Sequence, residues 1–364
     1  MHKVRYQGVR LPSLSWLKRV LLEQLQHVQV LANKIVDKVL SKGNLILTQE
    51  VQNFENSVCK YTKAKYCLGL NSGTDALKLS LKAIGIKPGD EVITAANTFV
   101  ATVGAIEEVG AKIRFVDCDD TFCIDTNLIE KAITKKTKAI MPVHFTGSMP
   151  DMEKLSKISK KYNIPIVEDA CQSILGSYNN KKSGNWGITG AFSFHPLKNI
   201  NVWSDGGMIV TNNKKIYSKL LLLRNHGLVN RDRVKILGYN SRLDTFQAVV
   251  GNWILPKAKI IAKKRIQNAK FYDKKFSSIK EITIPPRIKK VKHVYHLYII
   301  FAKKRDQLYK YCLKKGIEAK IHYPIPIYRQ EALRKINSKK LNFPVTEMHA
   351  KKLISFPCDQ HLSK

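Results

Sequence analysis

The apolar positions of this chain change period along its length. Short apolar runs occupy 66–70, 91–94, 113–116, 139–143, 164–168, 191–194 and 207–211. Between several of them, apolar residues recur every three or four positions. Leu77, Leu81 and Ile84 mark one face of 74–84, and 152–162 reads in the same way. The first pattern fits buried strands and the second amphipathic helices. Strands alternating with helices predict an α/β domain with a mostly parallel central sheet. Its ligands would sit beyond the carboxyl ends of the strands.

The flanks read differently. Leu14, Leu17, Val20, Leu21 and Leu25 form one stripe and predict a helix ahead of Gly43. After about residue 250 a long basic helix over 248–275 is expected. Shorter elements follow, broken by Pro285, Pro286, Pro324, Pro326 and Pro357. This divides the chain into an N-terminal helical segment (1–40), a large domain (41–250) and a small C-terminal α+β domain (251–364).

Composition narrows the class. At 364 residues and 44% hydrophobic, the chain suits a large globular domain with a smaller partner. No run approaches the roughly 18 apolar residues of a membrane helix. The start of the chain lacks the apolar core of a secretory signal. The seven cysteines follow no metal-ligand spacing, and their odd number fits reduced thiols in a cytoplasm, with no metal site.

The formal charge of +35 admits two readings. One is a polyanionic partner such as nucleic acid. The other is lysine spread over solvated faces, and pairs such as Lys135-Lys136 and Lys160-Lys161, scattered without an aromatic-interleaved tract, favour it. The excess would still steer a nucleotide diphosphate toward the protein.

Four local features could carry chemistry. Asn71-Ser72-Gly73-Thr74 follows a strand and opens a helix. Gly73 permits close backbone approach, and the first-turn amides with the Thr74 hydroxyl suit a phosphate. The same residues also read as an ordinary helix cap. Glu168-Asp169 ends a buried strand. An acid there could hold a pyridine nitrogen protonated, or Asp169 could simply cap a helix. Lys198 follows the apolar strand ending at Phe194, in a turn made with Pro196 and Asn199. Phe192, Phe194 and Leu197 would desolvate it, which turns a lysine into a nucleophile and Schiff-base former. Asp205-Gly206-Gly207 permits a tight turn into the last strand.

The order and spacing of these runs, with Thr98-Phe99-Val100-Ala101-Thr102, Asp169-Ala170-Cys171-Gln172, Leu223-Arg224-Asn225-His226-Gly227, Gly238-Tyr239-Asn240-Ser241-Arg242 and Ile321-His322-Tyr323-Pro324, resemble the DegT/StrS family of sugar aminotransferases. The resemblance runs from about residue 40 to 364. It implies fold type I, the aspartate-aminotransferase architecture, and pyridoxal 5'-phosphate as cofactor. It implies that Lys198 holds the cofactor as a Schiff base and shuttles protons, and that Asp169 faces the pyridine nitrogen. Gln172 would contact the phenolic oxygen and Phe99 would stack on the ring. Gly73, Thr74 and Ser193 match phosphate-binding positions. Asn240 matches an asparagine that reaches the phosphate of the neighbouring subunit, which implies a homodimer with shared sites. Glutamate would donate the amino group and a nucleoside-diphosphate keto-sugar would accept it, in amino-sugar or surface-glycan biosynthesis. Asp205-Gly206-Gly207 resembles the branch acting at carbon 3 more than the branch acting at carbon 4. His195, His322 and Tyr323 are expected to face the substrate.

The chain departs from the family at Thr48, often glycine in relatives, and at Ile188, often aspartate. It also ends at Lys364, where relatives continue through another helix, so a shortened small domain is expected. A lysine rather than a histidine at 198 favours transamination over dehydration. Two rival readings stand beside this one: a nucleic-acid-binding or regulatory protein on the same fold, and another fold type I pyridoxal enzyme.

Overall fold

A computed structural model describes residues 45–334 and 341–362, with Asn33, Val39, Ser41 and Gly43 as single positions. The helix expected within 1–40 lies outside the described residues.

Residues 46–362 form one compact unit. Its strands appear where the apolar runs fall. They are β1 (Tyr66–Leu70), β2 (Glu91–Ala95), β3 (Lys112–Val116), β4 (Thr137–Met141), β5 (Val167–Asp169), β6 (Thr189–Ser193) and β7 (Gly207–Thr211). β3, β2 and β4 run parallel. β5 and β6 run parallel, and β7 lies antiparallel between β6 and β1. Parallel bridges Ile140–Ile166 and Val143–Asp169 join the two groups. The order is therefore β3-β2-β4-β5-β6-β7-β1, with β7 alone reversed. β6 and β7 are buried along their whole length. This is why they read as continuous apolar runs rather than alternating ones.

Helices α1 (Gln49–Thr62), α2 (Gly73–Ala83), α3 (Val100–Glu108), α4 (Met152–Tyr162) and α5 (Lys214–Arg224) accompany this sheet. The Ser72 hydroxyl caps α2 by accepting from the Asp75 amide at 3.1 Å. The Asp151 carboxylate caps α4 in the same manner, from the Lys154 amide at 3.0 Å. Leu77, Leu79, Leu81, Val92, Ala139, Val167, Ala191 and Ile209 meet in one apolar cluster between helices and sheet.

The expected single helix over 248–275 is in fact two. α6 (Thr245–Ile254) ends in a 3-10 turn at Leu255–Lys257, and α7 (Ala258–Phe276) continues beyond it. Pro256 has no amide hydrogen and its ring crowds the preceding turn, so one unbroken helix is not available. The strand expected at 164–168 forms later, at Val167–Asp169, after Pro165. Further along, β8 (Tyr298–Ala302) pairs antiparallel with Ile282–Thr283 on one side and with β9 (Leu353–Phe356) on the other. Helices Arg305–Lys314 and Pro344–Lys352 accompany this second sheet. Among the described residues no helix is long and apolar enough to cross a membrane. No group of three or more His, Cys, Asp or Glu among them is placed to hold a metal ion.

Candidate active site

The carboxyl ends of β1, β2, β5 and β6 bring most of the candidate residues to one side of the sheet. β1 leads into Asn71 to Gly73, β2 leads toward Phe99, β5 ends at Asp169, and β6 leads into His195 and Lys198. The reversed strand β7 starts on this same side, because Gly207 pairs with both Leu70 and Ser193.

The start of α2 is packed against Ser193. A Cβ placed on Gly73 would lie 2.7 Å from the Ser193 Cβ and 3.0 Å from the Cys171 Sγ. A Cβ on Gly207 would strike the Ser72 carbonyl. Glycine at both positions lets β6 and β7 come up to the helix N-terminus, whose first-turn amides and positive dipole end favour an anion. Thr74 stands exposed in that first turn.

Glu168 and Asp169 are separated by the pleat of β5, which sends successive side chains to opposite faces. Glu168 is fully buried and structural. It accepts from the amides of Gly184 at 2.8 Å, Trp186 at 2.6 Å and Gly187 at 2.7 Å, and pairs with His144 Nε2 at 2.8 Å. Asp169 is 5% exposed. Its Oδ2 accepts from the Thr102 hydroxyl at 2.7 Å and its Oδ1 from the Cys171 amide at 3.2 Å. Thr102 lies 2.6 Å from the Thr98 hydroxyl.

Lys198 is partly buried in the turn after β6, its amide donating to the His195 carbonyl at 2.8 Å. Burial pushes its amine below the ordinary lysine range, while Cys171 and Asp169 pull it back. Burial pushes the Cys171 thiol well up, helped by Asp169 and opposed by Lys198. Lys198, Cys171 and Asp169 therefore share one electrostatic environment.

The Gln172 Oε1 accepts the Thr146 amide at 2.7 Å, so its NH2 end is the one available to a ligand. Phe99 is half exposed, with its ring 6.2 Å from that of Tyr323. Burial raises the Tyr323 phenol, and Asp169 adds to this. His322 Nδ1 lies 2.8 Å from the Ser355 hydroxyl. Burial, with Lys320 and Lys198 nearby, pushes the His322 imidazole down to about 4. The His195 imidazole is also shifted down, by burial against the opposing pull of Asp205 and with help from Lys198.

Asn240 is the exception. It is exposed, and its backbone bridges to Asn225. Among the described residues no side-chain hydrogen bond ties it to the other candidates. Its neighbour Ser241 donates to Asn71 Oδ1 at 3.3 Å, which anchors that loop beside the end of β1.

Thr98, Thr102 and His296 have no role that the sequence alone suggests. His296 Nδ1 is buried without a hydrogen-bond partner among the described residues. Burial and the nearby cations Lys198 and Arg265 hold its ring well below the ordinary histidine range. The spacing of Thr98 and Thr102, one helical turn apart, was the only signal in the chain that could have linked two of these.

A buried carboxylate, a lysine with a depressed pKa and an anion cradle, all at the carboxyl ends of a mostly parallel sheet, define a fold type I aminotransferase site. The sequence profile of the DegT/DnrJ/EryC1/StrS aminotransferase family matches residues 27–364. The chain is 37% identical over 340 residues to a pleiotropic regulatory protein of Geobacillus stearothermophilus, covering 93% of this chain and 91% of that one. It is 35% identical over 330 residues to a UDP-2-acetamido-2-deoxy-3-oxo-D-glucuronate aminotransferase of Pseudomonas aeruginosa, covering 90% of each. The crystal structure of DesV from S. venezuelae, in complex with a ketimine intermediate, matches with a TM-score of 0.91 at 32% identity. That match covers 96% of this chain and 93% of that one. The chain belongs to the DegT/DnrJ/EryC1/StrS aminotransferase family and is a pyridoxal-phosphate-dependent aminotransferase.

Proposed function

We propose that this enzyme moves an amino group from glutamate to the keto carbon of a nucleoside-diphosphate sugar, at carbon 3 rather than carbon 4, in amino-sugar or surface-glycan biosynthesis. The observation that carries the reading is the convergence of Lys198, Asp169 and the Gly73–Ser193 contact at one end of the sheet. The 3-oxo sugar in the name of the Pseudomonas aeruginosa relative supports carbon 3, as does the Asp205-Gly206-Gly207 turn.

The residues fit pyridoxal 5'-phosphate. The helix N-terminus at Gly73, with Thr74 and Ser193, would hold its phosphate. Asp169 would face the ring nitrogen, its carboxylate held by the Thr102 hydroxyl on one oxygen and the Cys171 amide on the other. Gln172 would offer its NH2 to the phenolic oxygen, and Phe99 an apolar face to the ring. Lys198 would hold the cofactor through Nζ. When bound, the cofactor supplies an electron sink for the carbon bearing the amino group.

The depressed pKa of Lys198 makes its neutral amine more accessible near neutral pH than that of a surface lysine. Once released, that amine would carry a proton between the two carbons of the transfer. His195, His322 and Tyr323 would face the sugar. His322 and His195, shifted down, would offer neutral rings that accept or donate a hydrogen bond to a hydroxyl group.

The same reading takes residues 41–250 as the cofactor-binding domain and 251–364 as a smaller one. It also takes the enzyme as a cytoplasmic homodimer. The exposed apolar residues Val229, Val234 and Leu237, just ahead of Asn240, support a second copy covering that surface. Asn240 would then serve the partner's phosphate site.

The test is a panel of UDP- and dTDP-linked 3-keto and 4-keto sugars, each incubated with protein, pyridoxal phosphate and glutamate. The aminated product is read by mass spectrometry. Product from a 3-keto sugar that disappears in Lys198→Ala supports the reading. Activity with keto acids alone would point to an amino-acid transaminase. Salt-sensitive nucleic-acid binding without any amino transfer would point to a regulatory protein.

A further inference from the structure

Asp169 can face a ligand usefully only if its carboxylate is held in one orientation, and the structure shows what holds it. Thr102 sits in the first turn of α3, with its amide donating to the Phe99 carbonyl at 3.1 Å. It is fully buried and Thr98 is 1% exposed. A threonine hydroxyl has one proton to give. The Thr102 proton goes to Asp169 Oδ2 at 2.7 Å. The Thr98 hydroxyl, 2.6 Å from the Thr102 Oγ1, must then be the donor in that second bond. The result is a directed chain from Thr98 to Thr102 to Asp169, in which each bond polarises the next.

We propose that Thr102 is a positioning residue for Asp169, and that Thr98 sets the direction of its hydroxyl. This rests on the reading that Asp169 faces the ring nitrogen of the cofactor. The two oxygens of Asp169 are engaged from different sides, by Thr102 and by the Cys171 amide at 3.2 Å. That fixes the plane of the carboxylate and leaves its remaining lone pairs for the ligand. Phe99, the proposed stacking residue, is the N-cap of the same helix α3. The turn that positions the ring face therefore also positions the acid. β-Branching limits the Thr102 rotamers, so the hydroxyl stays aimed without help from the ligand.

Thr102→Val keeps the shape and removes the donor, Thr102→Ser keeps the donor, and Thr98→Val removes only the outer link. Each is compared with wild type by fluorescence titration with pyridoxal phosphate, by the pH dependence of the bound cofactor's absorbance, and by thermal unfolding without cofactor. A hydrogen bond to a charged group predicts that Thr102→Val weakens cofactor affinity about 10- to 100-fold. It should also move the absorbance midpoint by about half a pH unit or more. Thr102→Ser should restore most of both, and Thr98→Val should show the same changes at smaller size.

Wild-type affinity and absorbance midpoint in Thr102→Val would overturn the proposal. So would a Thr98→Val effect larger than that of Thr102→Val. A Thr102→Val protein that unfolds leaves Thr102→Ser and Thr98→Val to decide by the same readouts. If wild type itself binds no pyridoxal phosphate, the reading of the site fails, not the role of Thr102 within it.

Discussion

Gly73 and Ser193 touch across the start of α2, with no room between them for a methyl group. The 2.7 Å that a Cβ on Gly73 would leave to the Ser193 Cβ is well inside van der Waals contact. The neighbour belongs to a buried strand and not to the end of a flexible side chain, so it cannot easily move. Gly73→Ala is expected to weaken pyridoxal phosphate binding by about 1–3 kcal/mol, the usual scale of overpacking. Equilibrium titration of the cofactor checks this, and unchanged affinity would refute the cradle.

Glu168 and Asp169 should behave as opposites. Glu168, itself fully buried, satisfies three amides of the loop at 184–187 and a histidine. Glu168→Gln removes acceptor capacity there and sets an amide hydrogen against a donor. A loss of about 2–4 kcal/mol in folding stability is expected, by denaturant melts. Asp169→Asn, with two donors to lose rather than four partners, should cost clearly less stability and lower kcat by at least about 100-fold. Equal stability losses in the two variants would mean the faces of β5 are misassigned.

Lys198 should be labelled first. Burial lowers its pKa from the lysine value of 10.5. As pH rises, its neutral amine is therefore populated before that of an exposed lysine. Brief treatment with limiting pyridoxal phosphate and borohydride at pH 7 is expected to modify Lys198 ahead of the other lysines. Peptide mapping reads the site, and scattered labelling would count against the assignment.

Acid should weaken the fold through His349. This ring is fully buried, 4.7 Å from Phe122 and 5.2 Å from Phe301, centroid to centroid. Burial pushes its pKa from 6.5 to about 4, against a smaller opposing pull from Asp117. The folded state holds it neutral, while the unfolded chain takes up its proton below 6.5. Its stabilising contribution is thus complete above pH 6.5 and lost as pH falls toward 4. The span corresponds to about 3 kcal/mol at most. His349→Leu should flatten the stability–pH curve over this window in urea melts. An unchanged slope would show that the ring is not buried neutral.

Much of the sheet was legible in the chain. β1 and β7 have the bounds that their apolar runs suggest, and α4 starts and stops where its period does, behind the Asp151 cap. Pro256 was the plainest local signal overlooked, since it breaks the basic helix where the charge pattern runs on. The residues drawn together at the site were largely those suggested by motif order, with Asn240 the exception. Thr102 was visible only as part of a motif, because its partner Asp169 is 67 residues away.

Local sequence was sufficient for the elements, because helix caps, apolar period and proline act within a few residues. It also supplied the chemistry available: one lysine after an apolar strand, two acids ending another, and glycines where strands meet a helix. The resemblance named Asp169, but what separates its surroundings from those of Glu168 was decided only by the sheet. The pleat of β5, once paired with β6, turns Glu168 to the loop at 184–187 and Asp169 to the first turn of α3. The depressed pKa of Lys198 likewise belongs to the assembled fold. A side chain loses water only when segments distant in sequence close over it.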